Sequence, residues 1–529
     1  MSTDAQQIAL ERSRRFVLPE MLARNARLYP DKTALIFEGD TRTFAELDER
    51  ANRLANALAD RGVRHGDKVA LMLYNRNEVV EAFFGCQKLG ACPVPMNFRL
   101  AQDEFDYILD NSDSVGIIAD EKLADAAVAA RRANPQLRFH LAIGPVPETA
   151  ESYEEALAAA SPEEPAVIVQ ESDLAFLMYT SGTTGRPKGA MLSQLNLVAN
   201  TLNWVHEMEV RRDDVWLSGL PLFHIGGVNG VLPFIYIGGT TVITASTGFD
   251  PLESLRLLEA HEVTLCYFVP TQWAQICALP EVAEVDTTRL RKALWGASTA
   301  PREVLEKLVE TFPSVEIVNA FGQTEMSSNT CFLKGEDAVR KMGSVGKPVI
   351  NVEVRVVDDE GNDVPQGEVG EIVYRGPTVM QGYYRNPQAT AEAFAGGWFH
   401  SGDLVRVDEE GFITVVDRKK DMIISGGENV YPAEVERALL DHPAVAEVAV
   451  VGVPHPKWVE TPYAFVVLAE GASVTEEQLI EHCRSRLASY KKPSGVAFVK
   501  ELPRNAAGKI LKRTLREQVG DRATAGAAS

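Results

Sequence analysis

The densest run of chemically active residue types is Tyr179-Thr-Ser-Gly-Thr-Thr-Gly-Arg-Pro-Lys-Gly-Ala190. Gly182 and Gly185 let backbone N–H groups turn toward an anion. The hydroxyls of Thr180, Ser181, Thr183 and Thr184 can donate to phosphate oxygens, and Lys188 adds a positive charge. The chemistry is that of a phosphate cradle. The spacing is not that of a Walker A loop, where a lysine directly follows glycine and precedes Ser or Thr. The apolar run Leu174 to Met178 reads as the strand that positions the cradle.

Further clusters follow along the chain. Asn319-Ala-Phe-Gly-Gln-Thr-Glu325 ends in a carboxylate, which suits a hard cation beside phosphate oxygens. Trp398-Phe-His-Ser-Gly-Asp-Leu404 carries Asp403, which can accept two hydroxyl donors at once. Ser425-Gly-Gly-Glu428 has the paired glycines that allow a thin ligand close to the backbone. Pro503-Arg-Asn-Ala-Ala-Gly-Lys509 presents a lysine after a glycine. Leu222-Phe-His-Ile-Gly-Gly-Val-Asn229 places His224 before small residues.

Taken together and in this order, the strings resemble the motifs of the adenylate-forming superfamily, in particular acyl-CoA synthetases and fatty-acid–CoA ligases. The resemblance covers nearly the whole chain. It implies that Thr180 to Gly185 and Lys188 hold the ATP phosphates, and that Thr180 and Glu325 hold Mg²⁺. Asn319, Ala320, Phe321, Gly322 and Gln323 would line the adenine side, with Phe321 standing where tyrosine is commoner and keeping its stacking face. Thr324 would meet the α-phosphate. Gly296, Ala297 and Ser298, within Trp295-Gly-Ala-Ser-Thr-Ala-Pro301, match the adenine-side loop. Asp403 would bind the ribose hydroxyls, with Arg418 on ribose and phosphate.

Lys509 matches the catalytic lysine, whose cation would bridge the substrate carboxylate and an α-phosphate already rich in anionic oxygens. Lys420 matches the hinge position about which the C-terminal domain rotates. Ser425, Gly426, Gly427 and Glu428 would then line the thiol tunnel. Peptide adenylation domains have Phe-Asp where this chain has Phe223-His224, so an amino acid substrate is disfavoured. In acyl- and aryl-CoA ligases a residue here resembles a gate.

The activity so implied is an ATP-dependent acid–thiol ligase. It forms acyl-AMP and pyrophosphate, then acyl-CoA and AMP, from a medium- or long-chain fatty acid or a related bulky organic acid. The alternative is an enzyme that loads an acyl carrier protein. ATP, Mg²⁺ and coenzyme A are the implied cofactors and co-substrates. Gly226, Gly227, Gly322 and Ala297 read as room for the acid. Tyr267, Phe268, Val269, Trp273, Met326 and Ser327 read as its walls.

The elements that position these residues follow an α/β pattern. Thr43 and Glu46 form a capping box, and Phe44, Leu47, Ala51, Leu54 and Leu58 recur at helical spacing until Gly62. Strand and helix signals then alternate, which predicts largely parallel sheets layered with helices. Residues 345–416 read as a small β-rich subdomain. The charged run 417–421 reads as a hinge between an N-terminal domain, 1–416, and a small α+β C-terminal domain, 422–529. Helices are expected from Pro432 to about Leu440 and from Glu476 to about Ser489. The tail, 520–529, reads as disordered.

The 529 residues are 45% hydrophobic and 24% charged, which is globular composition. A net charge of -21 argues against nucleic acid as the main partner. The six cysteines are scattered with no zinc spacing, which fits buried thiols in a reducing, cytoplasmic setting. The N-terminus shows no apolar leader segment. Trp216 to Phe249 lacks charges but is broken by Pro and Gly, so it reads as a core loop, helix and strand rather than a transmembrane segment. A homodimer is left open.

Overall fold

The computed structural model describes residues 3–180, 186–246, 248–296, 300–425, 428–455, 458–484, 486–504 and 509–526. The chain forms two compact units. One comprises Met1–Val354 with Tyr374–Phe399, the other Arg355–Val373 with His400–Ser529.

The capping box begins the helix Phe44–Asp60 as the sequence predicts, with the Thr43 hydroxyl and the Glu46 carboxylate each accepting the other's backbone N–H. That helix buries Phe44, Leu47, Ala51, Leu54 and Leu58, the residues of its apolar stripe. In the first unit a nine-stranded sheet is parallel through its centre. In spatial order the central strands are Glu316–Gln323, Lys292–Gly296, Leu265–Tyr267, Val215–Ser218, Thr240–Ile243 and Thr33–Phe37. Antiparallel strands cover both edges. A second, five-stranded sheet is wholly parallel, built on Lys68–Met72, Cys92–Pro95 and Ser114–Asp120 among others. Parallel strands need long crossovers. Helices such as Asn77–Lys88 and Gln102–Asn111 supply them, giving the layered α/β arrangement that the alternation predicts.

The uncharged stretch after Trp216 forms a strand, the buried helix Ile225–Ile237 and the strand Thr240–Ile243. Among the described residues no helix is long and apolar enough to cross a membrane. All six cysteines are buried and unpaired with one another, and burial pushes Cys92 and Cys331 up to about 12.

The second unit holds a four-stranded sheet, in the order Glu353–Val357, Val369–Arg375, Phe399–Val407, Ile413–Arg418. A five-stranded sheet follows, built around the long antiparallel pair Val445–His455 and Val459–Leu468. Helices Pro432–Leu440 and Glu476–Arg484 pack their apolar faces into one cluster with it. The second of these stops short of Ser489: past Arg484 the Arg486 N–H bonds to the Cys483 carbonyl three residues back, which tightens the last turn. A last helix, Lys512–Gly526, runs into the stretch expected to be disordered, where Arg, Glu and Ala favour helix.

Candidate functional site

The phosphate-cradle motif is the tip of a β-hairpin. Leu174–Thr180 pairs antiparallel with Lys188–Ser193, and Thr180 and Lys188 are cross-strand partners. The Thr180 hydroxyl donates to the Lys188 carbonyl at 3.5 Å. The tip residues Ser181, Gly182, Thr183, Thr184 and Gly185 lie outside the described residues. The hairpin's flanks are held from outside. The Tyr179 hydroxyl donates to Asn111 Oδ1 at 2.7 Å, and the Tyr107 hydroxyl donates to the Pro187 carbonyl at 3.2 Å.

Glu325 is placed by a strained turn. The strand Glu316–Gln323 ends in a 3-10 turn over Thr324–Met326. Ser327 and Ser328 then take φ of 58° and 102°, a left-handed region costly for side chains. Gly322 makes that turn possible, since a Cβ there would fall 1.7 Å from the Ser328 carbonyl oxygen. Its smallness therefore serves backbone packing rather than acid room, and the expectation is corrected. Gly227 is corrected in the same way, because a Cβ there would lie 2.3 Å from the Pro221 carbonyl oxygen. Phe268, Trp273, Met326 and Ser327 are fully buried, so they back the site as packed core instead of walling an open pocket. Trp273 Nε1 donates to the Leu294 carbonyl, and the Ser327 hydroxyl donates to the Thr378 carbonyl. Val269 is only partly buried.

Lys188 and Glu325 are brought together through a residue that the sequence motifs do not single out. The Tyr383 hydroxyl donates to Glu325 Oε1 at 2.9 Å. The Lys188 ammonium lies 4.9 Å above the centre of the same ring. A tyrosine pair in Gly-Tyr-Tyr-Arg-Asn-Pro gives no local periodic signal. The pairing that aims it spans nearly two hundred residues, from Ala190 to Tyr383.

The adenine-side candidates also converge. Gly296 ends the strand Lys292–Gly296 and lies in parallel register with Ala320, while Asn319 lies beside Trp295. Asn319 is buried, and its Oδ1 has no hydrogen-bond partner among the described residues. A buried acceptor without a protein donor suits an N–H from a ligand. Phe321 is partly buried, and Gln323 and Thr324 continue the line. Ala297 and Ser298 lie outside the described residues.

These residues sit at the carboxyl edge of the nine-stranded sheet. From Val215–Ser218 the next two strands lie on opposite sides, Thr240–Ile243 on one and Leu265–Tyr267 on the other. That reversal opens the crevice where parallel sheets take ligands. His224 lies on the loop leaving Val215–Ser218, exposed, with Nδ1 accepting the Gly226 N–H at 3.1 Å. This hydrogen bond caps the helix Ile225–Ile237. Asn75 is a second residue that the sequence reading misses. Its amide donates to the Leu220 and Thr244 carbonyls and accepts from the Leu222 N–H, which fixes the loop before His224.

In the second unit, Asp403 and Arg418 face each other on adjacent strands, and Arg418 Nε reaches Asp403 Oδ1 at 2.7 Å. Below them burial works to raise the Glu371 carboxyl. Hydrogen bonds from His400, Lys419 and the Gly402 N–H outweigh burial and hold it below the ordinary range. Asp417 accepts the Ala433 N–H at the start of the helix Pro432–Leu440. Burial lowers the Lys420 ammonium, Asp421 opposes that effect, and the charges of Arg418, Lys509 and Arg516 add to it. Lys420 and Lys509 thus share one electrostatic neighbourhood.

Lys509 is exposed; on either side of it Arg504 and Ile510 form a bridge, and the Leu511 N–H bonds to the Pro503 carbonyl. Ser425 and Glu428 are partners in a short hairpin, while Gly426 and Gly427 lie outside the described residues.

A phosphate-cradle hairpin beside a carboxylate, at the carboxyl edge of a parallel sheet, defines a nucleotide-binding enzyme of the adenylate-binding kind. The chain belongs to the AMP-binding enzyme family. That family matches residues 22–384, and the family of AMP-binding enzyme C-terminal domains matches residues 434–509. The chain is 41% identical over 498 residues to a feruloyl-CoA synthase of an Amycolatopsis species, covering 94% of this chain and 98% of the relative. It is 38% identical over 501 residues to a long-chain-fatty-acid–CoA ligase of Mycobacterium tuberculosis, covering 94% and 97%. The o-succinylbenzoate CoA synthetase of Bacillus subtilis, solved with its acyl-adenylate intermediate, superposes with a TM-score of 0.84 at 35% identity over 94% and 97% of the two chains. The same synthetase solved with ATP and magnesium gives 0.83 at 35% identity, over 93% and 98%.

Proposed function

We propose that this protein is an AMP-forming carboxylic acid–CoA ligase acting on a bulky, largely apolar organic acid. The observation that carries the reading is the gathering of Lys188 and Glu325 around Tyr383, beside the cradle hairpin. One cation and one carboxylate facing the same hairpin suit a magnesium-bound polyphosphate and little else. A single protein carboxylate fits Mg²⁺, which keeps phosphate and water ligands. Glu325 and the Thr180 hydroxyl would hold that ion, and when bound it would neutralise charge on the phosphate oxygens.

The chain's own residues then divide the work. The hairpin tip and Lys188 bind the phosphates. Asn319 Oδ1 takes the adenine amino group, Phe321 stacks on the ring, and Gly296 to Ser298 close its other side. Thr324 donates to the α-phosphate. Asp403 accepts the ribose hydroxyls, with Arg418 holding that carboxylate in place. In the first step a substrate carboxylate oxygen attacks the α-phosphorus and pyrophosphate leaves. Lys509 offsets the repulsion where the two anions meet. In the second step the thiol sulfur attacks the acyl carbon of the adenylate, and AMP departs with the bonding electron pair. Ser425, Gly426, Gly427 and Glu428 line the approach of the thiol, and His224 stands at the acyl side as its gate. Lys420 is the hinge residue, 1–416 and 422–529 being the domains it joins.

His224 in place of an acidic residue supports an acid without an α-ammonium group. Relatives named for feruloyl, succinylbenzoate and long-chain fatty acids support a bulky acid over a small one. The proposed setting is the cytoplasm, which supplies ATP, magnesium and CoA and keeps the six thiols reduced.

The test is pyrophosphate release with Mg·ATP across aromatic and short to long aliphatic acids, each with and without CoA. Sustained release that needs CoA and yields an acyl-CoA is the expected result. Release that CoA does not sustain would transfer the second step to a carrier protein. No release with any acid would sink the ligase reading.

A further inference from the structure

Tyr383 touches both charged residues of the cradle and belongs to none of the motifs that mark it. Its backbone is fixed from two sides. Gln381 N–H bonds to the Met191 carbonyl, Met191 N–H to the Gly382 carbonyl and Tyr384 N–H to the Gly189 carbonyl, so the segment 380–384 runs along the hairpin strand that begins at Lys188. At its other end the Met380 N–H bonds to the Glu325 carbonyl. One short segment is thereby tied to the element of the lysine and to the element of the carboxylate.

The neighbouring tyrosine anchors the segment elsewhere. The Tyr384 hydroxyl donates to Asp113 Oδ2 at 2.8 Å and accepts from Lys68 Nζ at 3.0 Å. Extended backbone sends successive side chains to opposite faces. Tyr384 thus holds the strap, and Tyr383 is left to face the cradle.

A polyphosphate site needs a cation for the phosphates and an anion for the metal, set close together. Left side by side, the two attract each other and form an ion pair that competes with the nucleotide. Among the described residues no ion pair joins Lys188 to Glu325. The Tyr383 ring takes the ammonium on its face, and its hydroxyl donates to the carboxylate. Each contact is weaker than a direct pair and yields to a stronger partner.

We infer that Tyr383 is a positioning residue that keeps Lys188 and Glu325 apart and aimed, and thereby sets the magnesium dependence of ATP binding. The inference rests on the assignment of Lys188 and Glu325 to the nucleotide.

The experiment is titration calorimetry of ATP into the full chain, with magnesium and with EDTA, alongside the thermal unfolding midpoint. The variants are Tyr383→Phe, Tyr383→Leu, Tyr384→Phe and Glu325→Gln. Tyr383→Phe keeps the ring for Lys188 and loses the hydroxyl. It should weaken Mg·ATP binding by about tenfold, the scale of a hydrogen bond to a charged group, and leave binding in EDTA within about twofold. Tyr383→Leu should weaken both, because Lys188 is then released toward Glu325. Tyr384→Phe should lower the midpoint and leave the ratio of the two affinities unchanged.

Equal ratios in wild type and Tyr383→Phe would overturn the inference. So would a Tyr384→Phe ratio that falls as far as that of Tyr383→Phe, since the effect would then be loss of the strap alone. Glu325→Gln separates the two levels. If it abolishes the magnesium-dependent gain while Tyr383→Phe does not reduce it, only the role of Tyr383 falls. If the gain survives in Glu325→Gln, the assignment of Glu325 falls and the inference with it.

Discussion

Around Lys188 and Glu325 the first unit uses a tyrosine and backbone hydrogen bonds, whereas around Asp403 the second unit uses ion pairs. Tyr179 and Tyr107 hold the hairpin through neutral partners, and Tyr383 meets Glu325 and Lys188 as a neutral phenol. In the second unit Asp403 pairs with Arg418, Glu371 with Lys419, Asp421 with Arg516 and Glu436 with Lys512. Arg418 and Lys419 are partly exposed, with side-chain accessibilities of 42% and 39%. Contacts with a neutral partner are less sensitive to salt than ion pairs reaching solvent, which are screened and adjustable. The comparison teaches that the cradle is built to a fixed geometry. The surroundings of Asp403 in the second unit are built from contacts that can be exchanged.

Lys509→Ala should make the sharpest cut between the units. Adenylate formation, read as pyrophosphate release, should fall by about a hundredfold or more, while thioester formation from supplied acyl-AMP is spared. Equal loss in both steps would remove Lys509 from the first.

Arg418→Ala should come next. It leaves the buried Asp403 without that guanidinium, and ATP affinity should fall by about tenfold. Raising salt to about 0.5 M should weaken wild-type ATP binding and narrow the gap to this variant. A gap that persists at high salt would mean that Arg418 acts by shape and not by charge.

Thiol labelling sharpens the comparison further. Cys483 is the one cysteine of the second unit, and burial pushes its thiol up to about 11, against about 12 for Cys92 and Cys331 in the first. The smaller unit has the smaller core and should open more readily. Mass spectrometry of the folded protein under slow alkylation should find Cys483 modified before Cys92 and Cys331. Earlier labelling of Cys92 or Cys331 would reverse the ranking of the two units.

The smallest effect belongs to Glu371→Gln. The folded carboxyl lies below its ordinary 4.5, so it contributes stability above that value and loses it as pH falls through the folded value. Wild type should therefore shed a small increment of stability below about pH 4.5 that Glu371→Gln never had. Parallel acid-unfolding curves would show that the three hydrogen bonds add nothing.

Local patterns carry the fold well. Thr43 and Glu46 announce the helix that they cap, and the alternation of strand and helix signals predicts the parallel sheets. Motifs are legible where the chemistry lies within one short string, as at Asn319 to Glu325. Distance in sequence is what hides the rest. Nothing near residue 180 says that the chain returns as an antiparallel strand, and nothing near residue 383 says that this tyrosine meets Lys188. Gly227 and Gly322 mislead for a related reason. A missing side chain reads the same whether it makes room for a ligand or for the backbone of another turn, and only the fold tells which.

The pairing of Thr180 with Lys188 has a thermodynamic consequence for the loop between them. Because the hairpin already holds its two ends together, closing the loop costs no further entropy when a nucleotide arrives. Loop entropy grows slowly with length, by roughly 0.6 kcal/mol for each doubling. Inserting residues between the paired ends should thus cost the fold little.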